Sequence, residues 1–377
     1  MYVFILKHFK IKYGGFMMNL ELKYNRLLVC DFSHILHRNI AQPNLWEMRD
    51  SYGRRTGGVY GSLNTLLKES STYNYFPVAV FDGHLSPRRL AIYDNYKRYK
   101  DKQLLTEDVN TMTELELLQQ EQRVEYNTQR EIVKDLLSAF GIPVIHLEDW
   151  EGDDLIYILT KLSKDSIIVS DDKDMLQMIC DTPERRCRVR RGMRDEFWDI
   201  NTLKEKGIDQ NEFIACKAIV GDPSDNIPTA CFGVGEKTAL GLYKLYCECT
   251  EQGTPFPMDE KQLAFCSKTF NTPKRKAYLN FDENQFYTNV LLMDLRLVEN
   301  DINDTVIEQI SNCITEREKY FDTDDARAIL NSLNIETFNT TGLINNINRT
   351  KPFIFIDSYN PDEKILDTTT PLIGRLF

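Results

Sequence analysis

The chain lacks the marks of several common classes. Its nine cysteines include no C-x-x-C pair. Cys247-Glu248-Cys249 is too tight for the usual zinc spacing, and no histidine ladder accompanies it. An odd cysteine count without a secretion signal reads as reduced thiols in a cytoplasmic compartment. Long hydrophobic runs are absent as well. Val3 to Leu6 is apolar, but Lys7, His8, Lys10 and Lys12 break it, so it suits neither a signal-peptide core nor a membrane span. Residues 1–24 therefore read as an N-terminal extension, with Met17 or Met18 an equally good start, and no membrane is expected. Basic excess is missing too: 46 Lys and Arg against 57 Asp and Glu leave a net charge of −11. At first sight that argues against a nucleic-acid partner. The argument weakens if a metal site inflates the acid count or if basic residues cluster locally. At 377 residues, 42% of them hydrophobic, the chain has ample core for one large domain or two smaller ones.

What is present is organised around Trp150 to Asp174. Glu151-Gly152-Asp153-Asp154 opens a helix to Leu162, with its acids in the first turn where carboxylates suit the dipole. Ser166 to Ser170 has the composition of a short buried strand, and Asp171-Asp172-Lys173-Asp174 ends it. Met175 to Ile179 reads as further helix. Leu27 to Asp31 is another buried strand ending on an acid, and Pro77 to Asp82 repeats the device. Val144 to His146 reads as a further strand, leading into the acidic stretch. Acids at one end of several strands are where an open α/β sheet places ligands. Close carboxylates repel, and hard divalent cations prefer oxygen ligands. Surface acids that merely cap two helices are the plainer alternative. They do not account for an acid at the same end of each strand.

Basic residues cluster in three places. Gly53 to Gly61 reads as a loop carrying Arg54 and Arg55, with a helix from about Ser62 to Lys68. Pro87 opens a helix followed by Arg88, Arg89, Lys97, Arg98, Lys100 and Lys102, interleaved with Tyr93, Tyr96 and Tyr99. Cations with stacking aromatics suit a single strand or frayed end, although Tyr93 is expected in the core. The densest cluster is Arg185, Arg186, Arg188, Arg190, Arg191 and Arg194, read as a strand pair turning at Gly192 that would lie along a phosphate backbone. Alternation would put half of these arginines on each face. Gln103 to Asn127 is polar with helical spacing, and a long amphipathic helix then runs to Phe140, stopped by Gly141 and Pro143.

A second motif lies in residues 212–248. Glu212 to Val220 reads as a helix, followed by Gly221-Asp222-Pro223-Ser224-Asp225-Asn226-Ile227-Pro228. Gly233-Val234-Gly235-Glu236-Lys237-Thr238 then opens another helix. Gly-x-Gly before a helix offers backbone N–H groups to phosphate. The spacing is wrong for a nucleotide P-loop, and no third Gly completes a dinucleotide fingerprint. Helix–hairpin–helix binding of a DNA backbone fits better.

These residues together resemble the 5′-nuclease, or flap endonuclease, superfamily. The resemblance is carried by Asp31, Phe81-Asp82-Gly83, Arg89 with Tyr96-Lys97, Glu151 to Asp154, Ser170-x-Asp172-Lys173-Asp174, and Gly221 to Pro228 leading to Gly233-x-Gly235-x-Lys237. It spans about residues 25–300. Asp31-Phe32-Ser33 and Asn289 to Asp294 look closest to the RNase H and 5′-exonuclease branch of T-even-like bacteriophages. The chain departs from the family pattern at Thr229, where Gly is usual, in a hairpin loop one residue longer, at Gly152, where Ala is common, and at Asp171, where Thr or Ser is usual.

The resemblance implies a PIN-like α/β fold. Its sheet would be twisted and mostly parallel, with helices on both faces, a helical arch and a helix–three-turn–helix subdomain. The expected divisions are the nuclease core at 25–205 with the arch at 97–127, the subdomain at 206–300, a closing helical segment at 301–338, and a linker and tail at 339–377. It also implies two Mg²⁺ ions, with Mn²⁺ as a substitute. One would sit with Asp31, Asp82, Glu151 and Asp153, and the other with Asp153, Asp172, Asp174 and Asp222. Asp154 and Asp225 would act through water or as neighbours of the ligands. Lys97, with Arg89 and Tyr96, would serve catalysis. Arg88, Arg98, Lys100, Gly233, Gly235, Lys237 and Thr238 would hold DNA, with K⁺ at the hairpin. The implied partners are DNA with a 5′ flap, nick or 5′ end, and an RNA–DNA hybrid. A catalytically degenerate DNA-end-binding module and a PIN-type ribonuclease stay open as alternatives. The intact acids speak against the first and the 212–248 motif against the second.

Beyond residue 300, Thr323 to Leu333 reads as a helix, Asn339 to Thr350 as a linker by composition, and Pro352 to Asp357 as a strand. The end, Thr370 to Phe377, has two readings: a strand packed on the body, or a peptide whose Leu376 and Phe377 anchor in a sliding clamp.

Overall fold

A computed structural model describes residues 21–97, 113–251 and 280–356. The described residues divide into two compact units: one of residues 21–84, 113–200 and 302–356, the other of residues 85–97, 201–251 and 280–301.

The first unit is built on one seven-stranded sheet. Its strands are β1 (Tyr24–Asp31), β2 (Phe76–Val80), β3 (Val144–Ile145), β4 (Ser163–Val169), β5 (Cys180–Asp181), β6 (Arg186–Arg191) and β7 (Glu196–Trp198). They lie in the order β3-β2-β1-β4-β6-β5, with β7 also on β6. The pairs β3–β2, β2–β1, β1–β4 and β4–β6 are parallel, while β5 and β7 run antiparallel to β6. Leu27, Leu28, Val29 and Cys30 in β1 and all of β2 are buried, as expected of strands covered on both faces. Helices Phe32–Ile40, Gly57–Thr72, Glu114–Ala139 and Gly152–Leu162 supply much of that cover. Thr113 and Glu116 close a capping box on the third of these.

Four local expectations are corrected. The helix read from about Ser62 begins at Gly57, where the chain passes close to Leu45. Met175 to Met178 lies in a short 3₁₀ turn, Lys173–Met178, and Ile179 after it is extended. Asn339 to Thr350, read as a linker, holds a helix, Thr340–Thr350. Asn339 caps it by accepting from the Gly342 N–H at 2.9 Å, and Leu343 and Ile347, one turn apart, are buried. Pro352 to Ile356 makes no strand beyond a single bridge from Phe355 to Tyr24; Lys351–Phe353 is a 3₁₀ turn instead.

In the second unit, helices Gln210–Val220, Glu236–Glu251 and Glu283–Met293 enclose a core that includes Ala218, Leu242, Tyr243, Phe286 and Val290. The short helix Pro87–Ile92 belongs to this unit, and Ser86 caps it. Next to this helix Tyr96, and not the expected Tyr93, is buried; Tyr93 packs partly exposed beside it.

Candidate metal centre and nucleic-acid interface

Strands β2, β1 and β4 are parallel neighbours, so their C-terminal ends lie side by side. Each delivers a carboxylate there. Asp31 ends β1 and caps the helix that follows, accepting from the His34 N–H at 3.0 Å. Its other oxygen accepts from the Ser170 hydroxyl at 2.8 Å, just past β4. The Asp172 N–H donates to that same hydroxyl at 3.1 Å, and Asp172 itself caps the turn carrying Asp174. Asp82, two residues past β2, accepts from the Gly152 N–H at 2.7 Å. That bond ties it to the helix start bearing Glu151, Asp153 and Asp154. The departure at Gly152 has a local reason: a Cβ there would stand 2.7 Å from the Asp82 carboxylate.

The electrostatics at Asp31 are those of crowded, buried carboxylates. Burial, and next the Asp82 carboxylate, raise the Asp31 carboxyl to about 7. The bonds from His34 and Ser170 oppose this only partly, and Asp172 adds to the rise. Among the described residues, none of Asp31, Asp82 or Asp172 has a salt-bridge partner, and no three His, Cys, Asp or Glu side chains close on one point as they stand. The donor set is nevertheless hard oxygen carrying excess negative charge, which is what Mg²⁺ or Mn²⁺ would neutralise. Asp171 differs from its neighbours. It pairs with Arg38 at 2.7 Å and accepts from the Met193 N–H at 3.0 Å, so it is structural.

Tyr126 and His37 were not singled out from the sequence, and Ser33 was quoted there only within the Asp31-Phe32-Ser33 run, with no role. The Tyr126 hydroxyl donates to Ser33 Oγ at 3.1 Å, and Ser33 Oγ also accepts the Asp82 N–H at 2.8 Å. The Tyr126 ring stacks on His37, with centroids 3.7 Å apart. Ser33 and Tyr126 lie far apart in the chain, and no spacing pattern connects them.

In the second unit, Lys97 sits with its ammonium 3.8 Å from Asp225 and 5.1 Å from the Tyr96 ring centre. Tyr96 packs with Ile227, Leu292 and Met293. Arg89 is buried and donates to the Leu292 carbonyl at 2.9 Å, while Arg88 donates to Leu291 and pairs with Asp301 at 2.9 Å. Asp222 accepts from Ser224 and lies 3.8 Å from Lys217. Asp222 and Asp225 thus belong to a different unit from the other acids. Arg98 and Lys100 lie outside the described residues, as does much of the expected arch.

At the hairpin, Gly233 has φ +78° and open space around it, and Gly235 is equally open. The Gly235 carbonyl accepts the Thr238 and Ala239 N–H groups at 2.9 Å, starting the helix whose first turn exposes Lys237. Thr229 stitches the longer loop: its hydroxyl donates to the Ile219 carbonyl at 2.9 Å and accepts from the Cys231 N–H at 3.1 Å.

Four of the six clustered arginines, those of β6, are engaged inside the protein and not free for phosphate, and the expectation is corrected for them; Arg194 is exposed. Arg188, Arg190 and Arg191 are buried. Arg186 and Arg188 share Asp165 at 2.5 and 2.8 Å, Arg190 pairs with Glu69 at 3.2 Å and with Asp195, and Arg191 pairs with Glu196 at 3.1 Å.

Residues 26–208 match the family model described as 5′-3′ exonuclease, N-terminal resolvase-like domain. The chain is 31% identical over 230 residues to the 5′-3′ exonuclease of Aquifex aeolicus, covering 58% of this chain and 69% of that one. It is 30% identical to DNA polymerase I of Caldicellulosiruptor bescii over 60% of this chain, and spans only 25% of that relative's length. Among solved structures it is similar to the bacteriophage T5 flap endonuclease, which was solved in a complex with DNA and metal ions. The TM-score is 0.53 at 18% identity, covering 81% of this chain and 99% of that one, a likeness of fold.

Proposed function

The chain belongs to the 5′-3′ exonuclease family, and from that premise we propose a structure-specific, divalent-metal-dependent 5′-nuclease. It hydrolyses phosphodiesters near 5′ ends of DNA, or of RNA–DNA, in replication and primer removal. The observation that carries this reading is the grouping of Asp31, Asp82 and Asp172, none with a salt-bridge partner among the described residues, at the ends of three adjacent parallel strands, with Asp31 raised to about 7. Asp31, Asp82, Glu151 and Asp153 would hold one Mg²⁺, and Asp153, Asp172 and Asp174 a second, with Asp154 beside them. On the resemblance alone, Asp222 is kept as a ligand of the second ion and Asp225 as a neighbour acting through water. Such a metal pair, when bound, lowers the pKa of a water and clamps the scissile phosphate. Lys97 offsets the charge that develops on the phosphoryl oxygens. The Gly233 and Gly235 backbone, Thr238 and Lys237 hold the duplex by its phosphates without reading bases, and K⁺ is proposed at the same hairpin.

Incubation with a labelled 5′-flap duplex and Mg²⁺ tests this reading. Cleavage that EDTA abolishes is expected; tight binding without cleavage in Mg²⁺ or Mn²⁺ would mark a degenerate end-binding module instead. Residues 371–377, outside the described residues, are proposed to tether a sliding clamp through Leu376 and Phe377. Their deletion should leave short-flap cleavage unchanged and remove stimulation by the clamp on long templates. Loss of short-flap activity together with a lower melting temperature would assign the tail to the core.

A further inference from the structure

The turn that carries Lys97 and the loop Asp222–Ile227 are fastened together at several points. Asp222 and Ile227 close the loop by exchanging backbone hydrogen bonds at 2.9 and 2.8 Å. Within it, Asn226 has φ +58°, and Lys97 itself has φ +55°. Both lie in the left-handed region, which side chains other than glycine enter at a cost and asparagine enters most readily. Two hydrogen bonds join the segments. The Lys97 N–H donates to the Asp225 carbonyl at 2.9 Å, and the Asn226 carboxamide donates to the Asn95 carbonyl at 2.8 Å. The buried Tyr96 ring, packed on Ile227, lies between these two bonds in sequence.

We propose that Asn226 is the positioning residue for Lys97. Its left-handed backbone follows directly on the Asp225 carbonyl that receives the Lys97 N–H. Its carboxamide holds the residue two places earlier. Together they hold Lys97 in its costly conformation and direct the ammonium from the acid-bearing loop. The physical need is plain. A lysine has four rotatable side-chain bonds, and a charge meant to meet a transition state must be placed beforehand. Each device does a separate part of this. Glycine at 226 would keep the left-handed turn and lose the carboxamide bond, whereas alanine would lose the bond and strain the turn. The inference deepens the nuclease reading and rests on it.

A double-mutant cycle with an independent probe tests it. In single turnover with saturating enzyme on a 5′-flap, Asn226→Ala should slow cleavage roughly 10–100-fold. Asn226→Gly should slow it less, and flap affinity should change by no more than about twofold. In a Lys97→Ala background, Asn226→Ala should have little further effect, because what it positions is already gone. An equal loss in both backgrounds overturns the proposal, and Asn226→Gly supplies the comparison if the alanine variant fails to fold. The independent probe is labelling of Lys97 by acetic anhydride, followed by mass spectrometry. Asn226→Ala should speed Lys97 labelling relative to the other lysines, and an unchanged rate overturns the positioning role. A wild-type protein that cleaves nothing would sink the nuclease reading, while the labelling result would still decide whether Asn226 holds Lys97.

Discussion

Two groups of like charge stand on neighbouring strands of the same sheet and behave in opposite ways. Along β6, Arg186, Arg188, Arg190 and Arg191 each meet an internal carboxylate, and Tyr75 also bonds Arg188. At the ends of β1, β2 and β4, Asp31, Asp82 and Asp172 meet one another and hydrogen-bond donors, but no internal cation among the described residues. The arginines are the denser run in the sequence, yet they are the structural group. A cluster of charge therefore points to a ligand only where the fold withholds the counter-charge. Asp171 makes the same point within a single loop. Paired with Arg38, it leaves the acid group although Asp172 stays in it.

The strongest way to break this comparison is to remove one acid. Asp31→Asn or Asp172→Asn should lower Mg²⁺-dependent cleavage by several orders of magnitude while duplex affinity stays near that of the wild type. Near-normal turnover in either variant would show that these carboxylates hold no essential cation.

The arginine side of the comparison predicts a different loss. Arg188→Ala leaves Asp165 buried beside one cation fewer, which should cost about 3–5 kcal/mol of stability. The salt dependence of DNA binding should not move, because Arg188 reaches no phosphate. Lys237→Ala should do the reverse, lowering the salt slope by about one and leaving stability alone. A reduced slope in Arg188→Ala would return the arginine strand to the nucleic-acid interface.

The raised Asp31 carboxyl gives the comparison a pH signature. The folded protein holds this proton more tightly than the unfolded chain does. The resulting stability is therefore full below the ordinary carboxylate value and is lost as pH rises through about 7. Without metal, the melting temperature of the wild type relative to Asp31→Asn should fall between pH 5 and pH 8. Mg²⁺ at pH 8 should recover it in the wild type more than in the variant. A difference that stays flat with pH in EDTA would mean that Asp31 is not crowded by its neighbours.

Asp31, Asp82 and Asp172 were legible in the sequence because each follows a short, mostly apolar run, and parallel pairing then brings strand ends together. Their surroundings were not. Asp195 and Glu196 lie only five residues from Arg190 and Arg191, but Asp165 and Glu69 stand 21 and 121 residues from Arg186 and Arg190, and no local pattern announces those two pairings. Composition also misled at residues 339–350. Asparagine and threonine suggested a linker, but Asn339 serves as a cap and Leu343 with Ile347 form the buried stripe. In the second unit, the Gly-x-Gly pair was read as opening a helix, and a helix does begin at Glu236. The left-handed Asn226 within the preceding motif became visible only in the backbone.

The smallest expected effect concerns Tyr126. Burial raises its hydroxyl to about 12, so it stays neutral and donates to Ser33 Oγ, which also accepts the Asp82 N–H. The helix Glu114–Ala139 is thereby linked through two hydrogen bonds to the backbone of one of the candidate ligands. Tyr126→Phe keeps the stack on His37 and removes a single bond, at a cost of about 0.5–1.5 kcal/mol of stability. If that bond also orients Asp82, half-saturation by Mg²⁺ should rise by up to about tenfold, as when the partner of a metal ligand is removed. Ser33→Ala should raise it by at least as much, and the double variant should add little to Ser33→Ala alone. The same loss of stability with an unchanged Mg²⁺ requirement would reduce Tyr126 to packing, and the acid group would then owe its geometry to the strand ends and Gly152 alone.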